Sequence, residues 1–244
     1  MNPLLEQVIA AHGGLDRWKA FTSVRARVSG GGALWQLKGQ PGVLDDVVTT
    51  ADLHRQVAST APFGEPGLRS VVTPERVAIE AAATGATVEV RAHPRRAFAG
   101  HDVTTPWDRL HLAYFNGYAM WNYLTEPFLL ARPGFQVREG APHHEDGEVW
   151  RPLEVTFPDD VATHSRRQTY YVDDQGYVRR HDYVSEVLGP DAPVAAHYGF
   201  DHEVVDGIVV PTRRLIYLTD GQGNPDKGTV IVSIDLRDIA FAQG

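Results

Sequence analysis

Between Thr105 and Leu124 the chain carries one segment that is apolar almost all round, set in a sequence that otherwise alternates with the period of β-strands. Thr105 is placed to cap a helix there, Pro106 suits the first helical position, and Asp108 sits three residues after the cap to close a capping box. At 3.6 residues per turn, Trp107, Leu110, His111, Tyr114, Tyr118 and Trp121 share one side. Leu112, Phe115, Ala119 and Tyr123 occupy much of the other. A helix apolar on both sides has to be enclosed, and a curved sheet is the element available to enclose it. An aromatic helix wrapped by strands makes a pocket for an apolar small molecule.

The rest of the chain supplies those strands. Asn2 and Pro3 start a short helix whose stripe is Leu4, Leu5, Val8 and Ile9, ending at Gly13-Gly14. Leu15 to Phe21 adds a further turn or two with Trp18 inward. From Ser23 the period becomes two, and Gly30-Gly31-Gly32 reads as a turn that opens no helix. Strand-like runs follow at Val43–Ala58, Leu68–Thr73, Arg76–Ala81 and Thr87–Arg91. After a helical insertion at about 105–130, runs return at Phe135–Arg138, Val149–Phe157, Thr163–Val172, Tyr177–Val187, Ala195–Val205, Ile208–Thr219 and Thr229–Phe241. Asp173-Asp174-Gln175-Gly176 and Asp206-Gly207 each lie between long alternating runs and read as hairpin turns. No linker, repeat or low-complexity segment divides the chain. The expectation is a mainly β, α+β architecture: one half-barrel domain over residues 1–244, with a large curved antiparallel sheet around the central helix.

This order of elements carries a resemblance. A helix ending in Ala11-His12-Gly13-Gly14-Leu15 leads into antiparallel strands, with a helical insertion after the sixth. The carboxyl half holds Tyr170-Tyr171-Val172-Asp173-Asp174-Gln175-Gly176-Tyr177 and Asp206-Gly207-Ile208-Val209-Val210-Pro211. The chain resembles the LolA-like half-barrels of the bacterial lipoprotein-carrier superfamily and their soluble relatives. That likeness implies an incomplete barrel wrapped around helices, with acyl chains held between them. It brings no catalytic motif, so no site residue is taken from it.

Composition narrows the partners. The formal charge of -8 argues against nucleic acid or an anionic membrane surface. With no cysteine, disulfides, thiolate nucleophiles and Cys-based metal sites are excluded. The N-terminus, Met1-Asn2-Pro3-Leu4-Leu5-Glu6, lacks the basic and apolar regions of a signal peptide. No uncharged apolar run approaches the roughly 18 residues of a membrane span. These features lead us to expect a soluble, cytoplasmic protein that needs no cofactor; its oligomeric state is left open.

Eleven histidines raise the question of metal. His143-His144 with Glu145, Asp146 and Glu148 is the densest group, but it lies between Pro142 and Gly147 in what reads as an exposed loop, and adjacent residues rarely converge on one ion. His197 and His202, five apart, face opposite sides of a regular strand. We expect no metal site.

The hairpin around Asp173–Gly176 is more informative. Its simplest register sets Gln168 opposite His181 and Arg166 opposite Tyr183, gathering His164, Arg166, Gln168, Tyr170, Arg179, His181 and Tyr183 on one face. On the other face Arg167 meets Asp182, a surface pair of about 0.2–1 kcal/mol. We take the first face as the cavity lining; the alternative is a wet outer surface. In the Asp206-Gly207 hairpin, Val204, His202, Phe200 and Tyr198 align with Val209, Pro211, Arg213 and Leu215. This reads as a core-facing side on which Arg213 either pairs with an anionic group or reaches the rim.

Two functions follow. The first is binding of a small apolar or amphipathic molecule by Trp107, His111, Tyr114, Tyr118, Trp121, Tyr170, His181, Tyr183 and Arg213. The second is a cofactor-independent lyase, isomerase or hydrolase in the same cavity, with His111, His164, His181 and Tyr183 as acid–base candidates.

Overall fold

The computed structural model describes residues 1–244. Asn2 caps the first helix, α1 (Pro3–Ala11), by accepting hydrogen bonds from the amides of Leu4 and Leu5. After α2 (Leu15–Lys19) the chain enters β1 (Phe21–Gly31), turns through a short helix α3 (Ala33–Leu37), and continues through β2 (Val47–Asp52), β3 (Ala58–Ala61), β4 (Leu68–Thr73), β5 (Arg76–Ala81) and β6 (Thr87–Ala92). The central helix, α4 (Arg109–Thr125), follows. The second half comprises β7 (Gln136–Glu139), β8 (His143–Glu145), β9 (Glu148–Thr156), β10 (Arg167–Val172), β11 (Val178–Val184), β12 (Val194–Val205), β13 (Ile208–Leu218) and β14 (Val232–Gln243).

All these strands join one antiparallel sheet, ordered β6-β5-β4-β3-β2-β1-β14-β13-β12-β11-β10-β9-β7, with β8 also on β9. The non-sequential pairing of β1 with β14 links the two halves. The sheet does not close, so β6 and β7 remain edges, as in a half-barrel. It curves around α4, whose residues from Leu112 to Thr125 are all buried. One face of α4 lies on β2 to β5. Gly117 permits the approach, because a Cβ there would overlap the side chain of Val72 on β4. Gly117→Ala should therefore lower stability by about 1–3 kcal/mol in denaturant melts despite alanine's better helix propensity, and Val72→Ala should recover part of that loss.

The helix begins later than the sequence suggests. Asp108, rather than Thr105, is its N-cap, and the box closes with His111. Thr105 instead donates its hydroxyl to Asp102 at 2.9 Å, while the Trp107 amide is held by the Lys38 carbonyl. These non-helical partners keep Pro106 and Trp107 out of the helix. The run expected at Val43–Ala58 is two strands, β2 and β3, broken after Asp52, whose carboxylate caps the following turn through the amides of His54 and Arg55.

The hairpins keep their parity, and two details shift. Asp206 and Gly207 both have positive φ, and β12 pairs with β13 in the expected register. That side faces outward, however. Tyr198, Phe200 and Leu215 join Trp150 and Tyr217 in a small cluster separate from the main core. Arg213 is exposed, and the buried guanidinium is that of its neighbour Arg214. In the β10–β11 pair Tyr170, not Gln168, lies opposite His181, because a five-residue turn closed by Asp173 and Tyr177 and the unpaired bulge residue Arg179 each shift the register by one. Asp182 pairs with Arg180 on its own strand at 2.7 Å instead of with Arg167.

The His143–Glu145 segment is a strand and not an exposed loop. Asp146 and Gly147, both at positive φ, turn it back onto β9. Glu145 is thereby covered and accepts hydrogen bonds from Arg180 and Tyr198.

Candidate functional site

Gly30-Gly31-Gly32 does open a helix. Gly32 has φ of 106°, and any Cβ there would run into the Ile231 carbonyl. The turn launches α3, whose first amides, on Ala33 and Leu34, bond the Val230 and Ile231 carbonyls. They are spoken for, and the turn is no phosphate cradle. Leu34 and Trp35 point inward, while Leu37 is 46% exposed. Just beyond, the Lys38 ammonium is buried and donates to the carbonyls of Asp102, Val103 and Thr105 at 3.0, 2.7 and 3.0 Å. Burial lowers its pKa, and the three carbonyls tie α3 to the segment before α4.

Between α3, α4 and the strands β1, β11, β12, β13 and β14 lies a cavity of about 530 Å³. The helix contributes Phe115, Asn116, Ala119, Met120 and Tyr123; the strands contribute residues such as Val28, Ala195, Ile216, Val232 and Ile234. Nineteen of the 24 lining residues are hydrophobic, and no charged residue or histidine is among them. Leu37, Val103, Leu188 and Pro193 lie where α3 and two loops meet, at the mouth.

One stretch of wall is polar. Tyr123 and Tyr183 share a hydrogen bond at 2.8 Å, and the Tyr123 hydroxyl meets His164 Nε2 at 2.8 Å. His164 Nδ1 lies 3.2 Å from the Ser185 hydroxyl and 3.3 Å from that of Tyr118. Burial lowers the His164 pKa to about 3 and raises those of Tyr123 and Tyr183. Every group of this row is neutral near pH 7.

A second buried polar group lies apart from the cavity. Tyr170 donates to Glu126 at 3.0 Å, His181 Nε2 bonds the Gln168 side chain, and Arg214 donates to the Tyr123 carbonyl at 2.8 Å. Burial pushes the pKa of Glu126 up to about 7, against the pull of Arg214 and Tyr170. His181 and His197 are lowered by burial, and further by Arg214.

Three solved structures share the fold over nearly the whole chain. A DUF1329 family protein from Desulfovibrio piger aligns with a TM-score of 0.54 and 12% identity, over 98% of this chain and 91% of its own. A LolA superfamily protein from Nitrosomonas europaea aligns at 0.52 and 10%, over 99% and 92%. A domain provisionally assigned to outer-membrane lipoprotein sorting, from Vibrio parahaemolyticus, aligns at 0.54 and 10%, over 99% and 92%. The fold is LolA-like. No protein-family model and no curated protein matches the chain.

Within this LolA-like half-barrel the expected site residues divide. Trp107, Tyr114, Tyr118 and Trp121 are buried but do not line the cavity. His111 is occupied at the helix start, with Nε2 3.2 Å from the Ala97 carbonyl. Tyr170 and His181 are inside, as their strand face implied, but belong to the Glu126 group. His164 stands directly behind the polar wall. Among the expected residues Tyr183 alone lines the cavity, and Arg213 is at the surface. The lining comes from the opposite helix side: Phe115, Ala119 and Tyr123 already stood together in the periodicity, whereas Trp35, Met120 and Ser185 carried no signal of their own. No helix is long and apolar enough to cross a membrane.

Proposed function

We propose that this protein binds a small apolar or amphipathic molecule in the cavity beside α4. The observation that carries the reading is the cavity itself: about 530 Å³, walled by hydrophobic side chains and free of charge, within the range that holds drug-sized ligands. A structural neighbour provisionally assigned to lipoprotein sorting fits the same reading. The acid–base alternative has weaker support. A general base works best with a pKa near the working pH, and burial moves His164 to about 3 while raising the tyrosines.

Trp35 is the one tryptophan on the cavity wall, which makes the test direct. The apolar chain 1-bromododecane, whose bromine quenches on contact, should quench tryptophan fluorescence in the wild type and in Trp107→Phe, but not in Trp35→Phe. Ala119→Phe, which fills space in the cavity, should weaken uptake at least tenfold. Native mass spectrometry of freshly purified protein should show a bound small molecule. Undiminished quenching in Trp35→Phe, or uptake untouched by Ala119→Phe, would move the binding site elsewhere.

A further inference from the structure

The polar wall sits in a cavity that has no charge to offer. The nearest cations are committed: Arg214 to the Tyr123 carbonyl, Arg95 to the Thr163 and His164 carbonyls and to Glu186, and Lys38 to three carbonyls. An ionised head group brought here would lose its water and meet no counter-charge, a large cost. The wall must be matched by a neutral group that hydrogen-bonds.

The proton count through His164 says which kind. As a neutral imidazole it carries one N–H, on either Nδ1 or Nε2. With the proton on Nδ1, Tyr123 donates to Nε2 and Tyr183 donates to Tyr123. Tyr183 then turns lone pairs to the cavity, while Ser185 accepts from Nδ1 and keeps its own proton free. With the proton on Nε2 the row reverses. Tyr123 accepts from His164 and donates to Tyr183, whose proton is free, and Ser185 donates to Nδ1. In both tautomers the wall presents at least one donor and one acceptor, drawn from Tyr183 and Ser185, and this holds as well where Tyr118, 3.3 Å from Nδ1, takes that nitrogen in place of Ser185.

We infer that this wall, in the cavity that the proposed function already assigns to an apolar ligand, selects an uncharged amphiphile whose buried head is a hydroxyl group. A hydroxyl both donates and accepts, so it can pair with Tyr183 or with Ser185 in either tautomer. A carboxylate only accepts and an ammonium only donates. Each is confined to one of the two wall groups in a given tautomer, in addition to its own desolvation. The class comprises fatty alcohols, acylglycerols with a free hydroxyl and sterol-like alcohols, and it excludes free fatty acids as carboxylates.

The test is displacement of N-phenyl-1-naphthylamine by dodecanol, dodecanoate and dodecylammonium at about pH 8, where the carboxylate is ionised and the amine protonated. Dodecanol should compete at least tenfold more strongly than either ion. In Tyr183→Phe and in Ser185→Ala, dodecanol should weaken about three- to tenfold relative to the uncharged probe measured on the same variant, the range of one lost hydrogen bond. Dodecanoate or dodecylammonium competing as well as dodecanol in the wild type would overturn the head-group assignment and leave the cavity reading standing. No uptake of the probe by the wild type would overturn both. The wild-type comparison decides even if a variant fails to fold.

Discussion

The protein should lose stability steeply as the pH falls from about 6.5 towards 4.5, its unfolding taking up about three protons or more. His12, His164, His181 and His197 are all buried, and burial lowers each pKa, to about 4 for His12 and about 3 for His164. A histidine lowered in the native state stays neutral there while the unfolded chain protonates near 6.5. Its stabilisation is therefore complete above that pH and is lost as the pH falls towards the folded value. Glu126 works in the opposite sense. Its pKa of about 7 in the fold means that the native state holds a proton the unfolded chain releases near 4.5, so its contribution is lost as the pH rises between the two. Four histidines opposed by one carboxyl leave about three protons, a slope of about 4 kcal/mol per pH unit. The half-buried His202, which burial lowers to about 4, adds to it in the same sense. Against an ordinary stability of about 5–15 kcal/mol, that slope places acid unfolding near pH 5 for the low end of the range and nearer pH 3 for the high end. Urea melts at stepped pH measure it, and Glu126→Gln should steepen the dependence by about one proton. Melts that stay level from about pH 7 to 5 would mean these histidines are hydrated.

Trp121→Ala should cost about 3–5 kcal/mol, the largest loss expected of any single truncation here. The side chain is fully buried, and its indole N–H is shared by the Asp52 and Arg55 carbonyls at 2.7 and 2.9 Å, fixing the turn between β2 and β3. Arg132 lies over the ring at 5.5 Å. Truncation removes a large apolar surface, leaves a hole between α4 and the first half of the sheet, and strips two carbonyls of their donor. Trp121→Phe keeps most of the apolar contact and loses only the N–H, so about 1–2 kcal/mol is expected. Equilibrium denaturation separates the two variants. A loss below about 1 kcal/mol for Trp121→Ala would mean that α4 does not organise the core.

The residues alone were enough to show that α4 is enclosed. A run in which Leu112, Phe115 and Ala119 balance Tyr114, Tyr118 and Trp121 around the helix has no side to give to water, and period-two runs on both flanks leave a curved sheet as its container. Parity was legible as well. Gln168, Tyr170, His181 and Tyr183 share a face because alternation is a local property of extended backbone, and the turn and the bulge at Arg179 together shift the register by two, which keeps the parity across the pair. Local pattern does not say which face turns inward when both mix polar and apolar residues. Tyr198, Phe200 and Leu215 look like core, yet the core side belongs to His197, Arg214 and Ile216. What reversed them was the β8–β9 hairpin, which buries an apolar patch on the outer face.

The cavity was also a decision of tertiary structure. Periodicity places Trp107, Tyr114, Tyr118 and Trp121 together and makes them the natural floor of a pocket, but large aromatic rings are also what fills space best. Trp107 and Tyr114 pack on Phe98, Tyr118 on His164 and Trp121 on the turn after β2, whereas the smaller Ala119 and the flexible Met120 leave room against β12–β14. A void forms where facing surfaces fail to meet. That depends on the curvature of the whole sheet, on the β1–β14 pairing between residues more than two hundred positions apart, and on α3 held over the mouth by Lys38. Side-chain period is set within a few residues, while empty space is set by how distant elements close on one another.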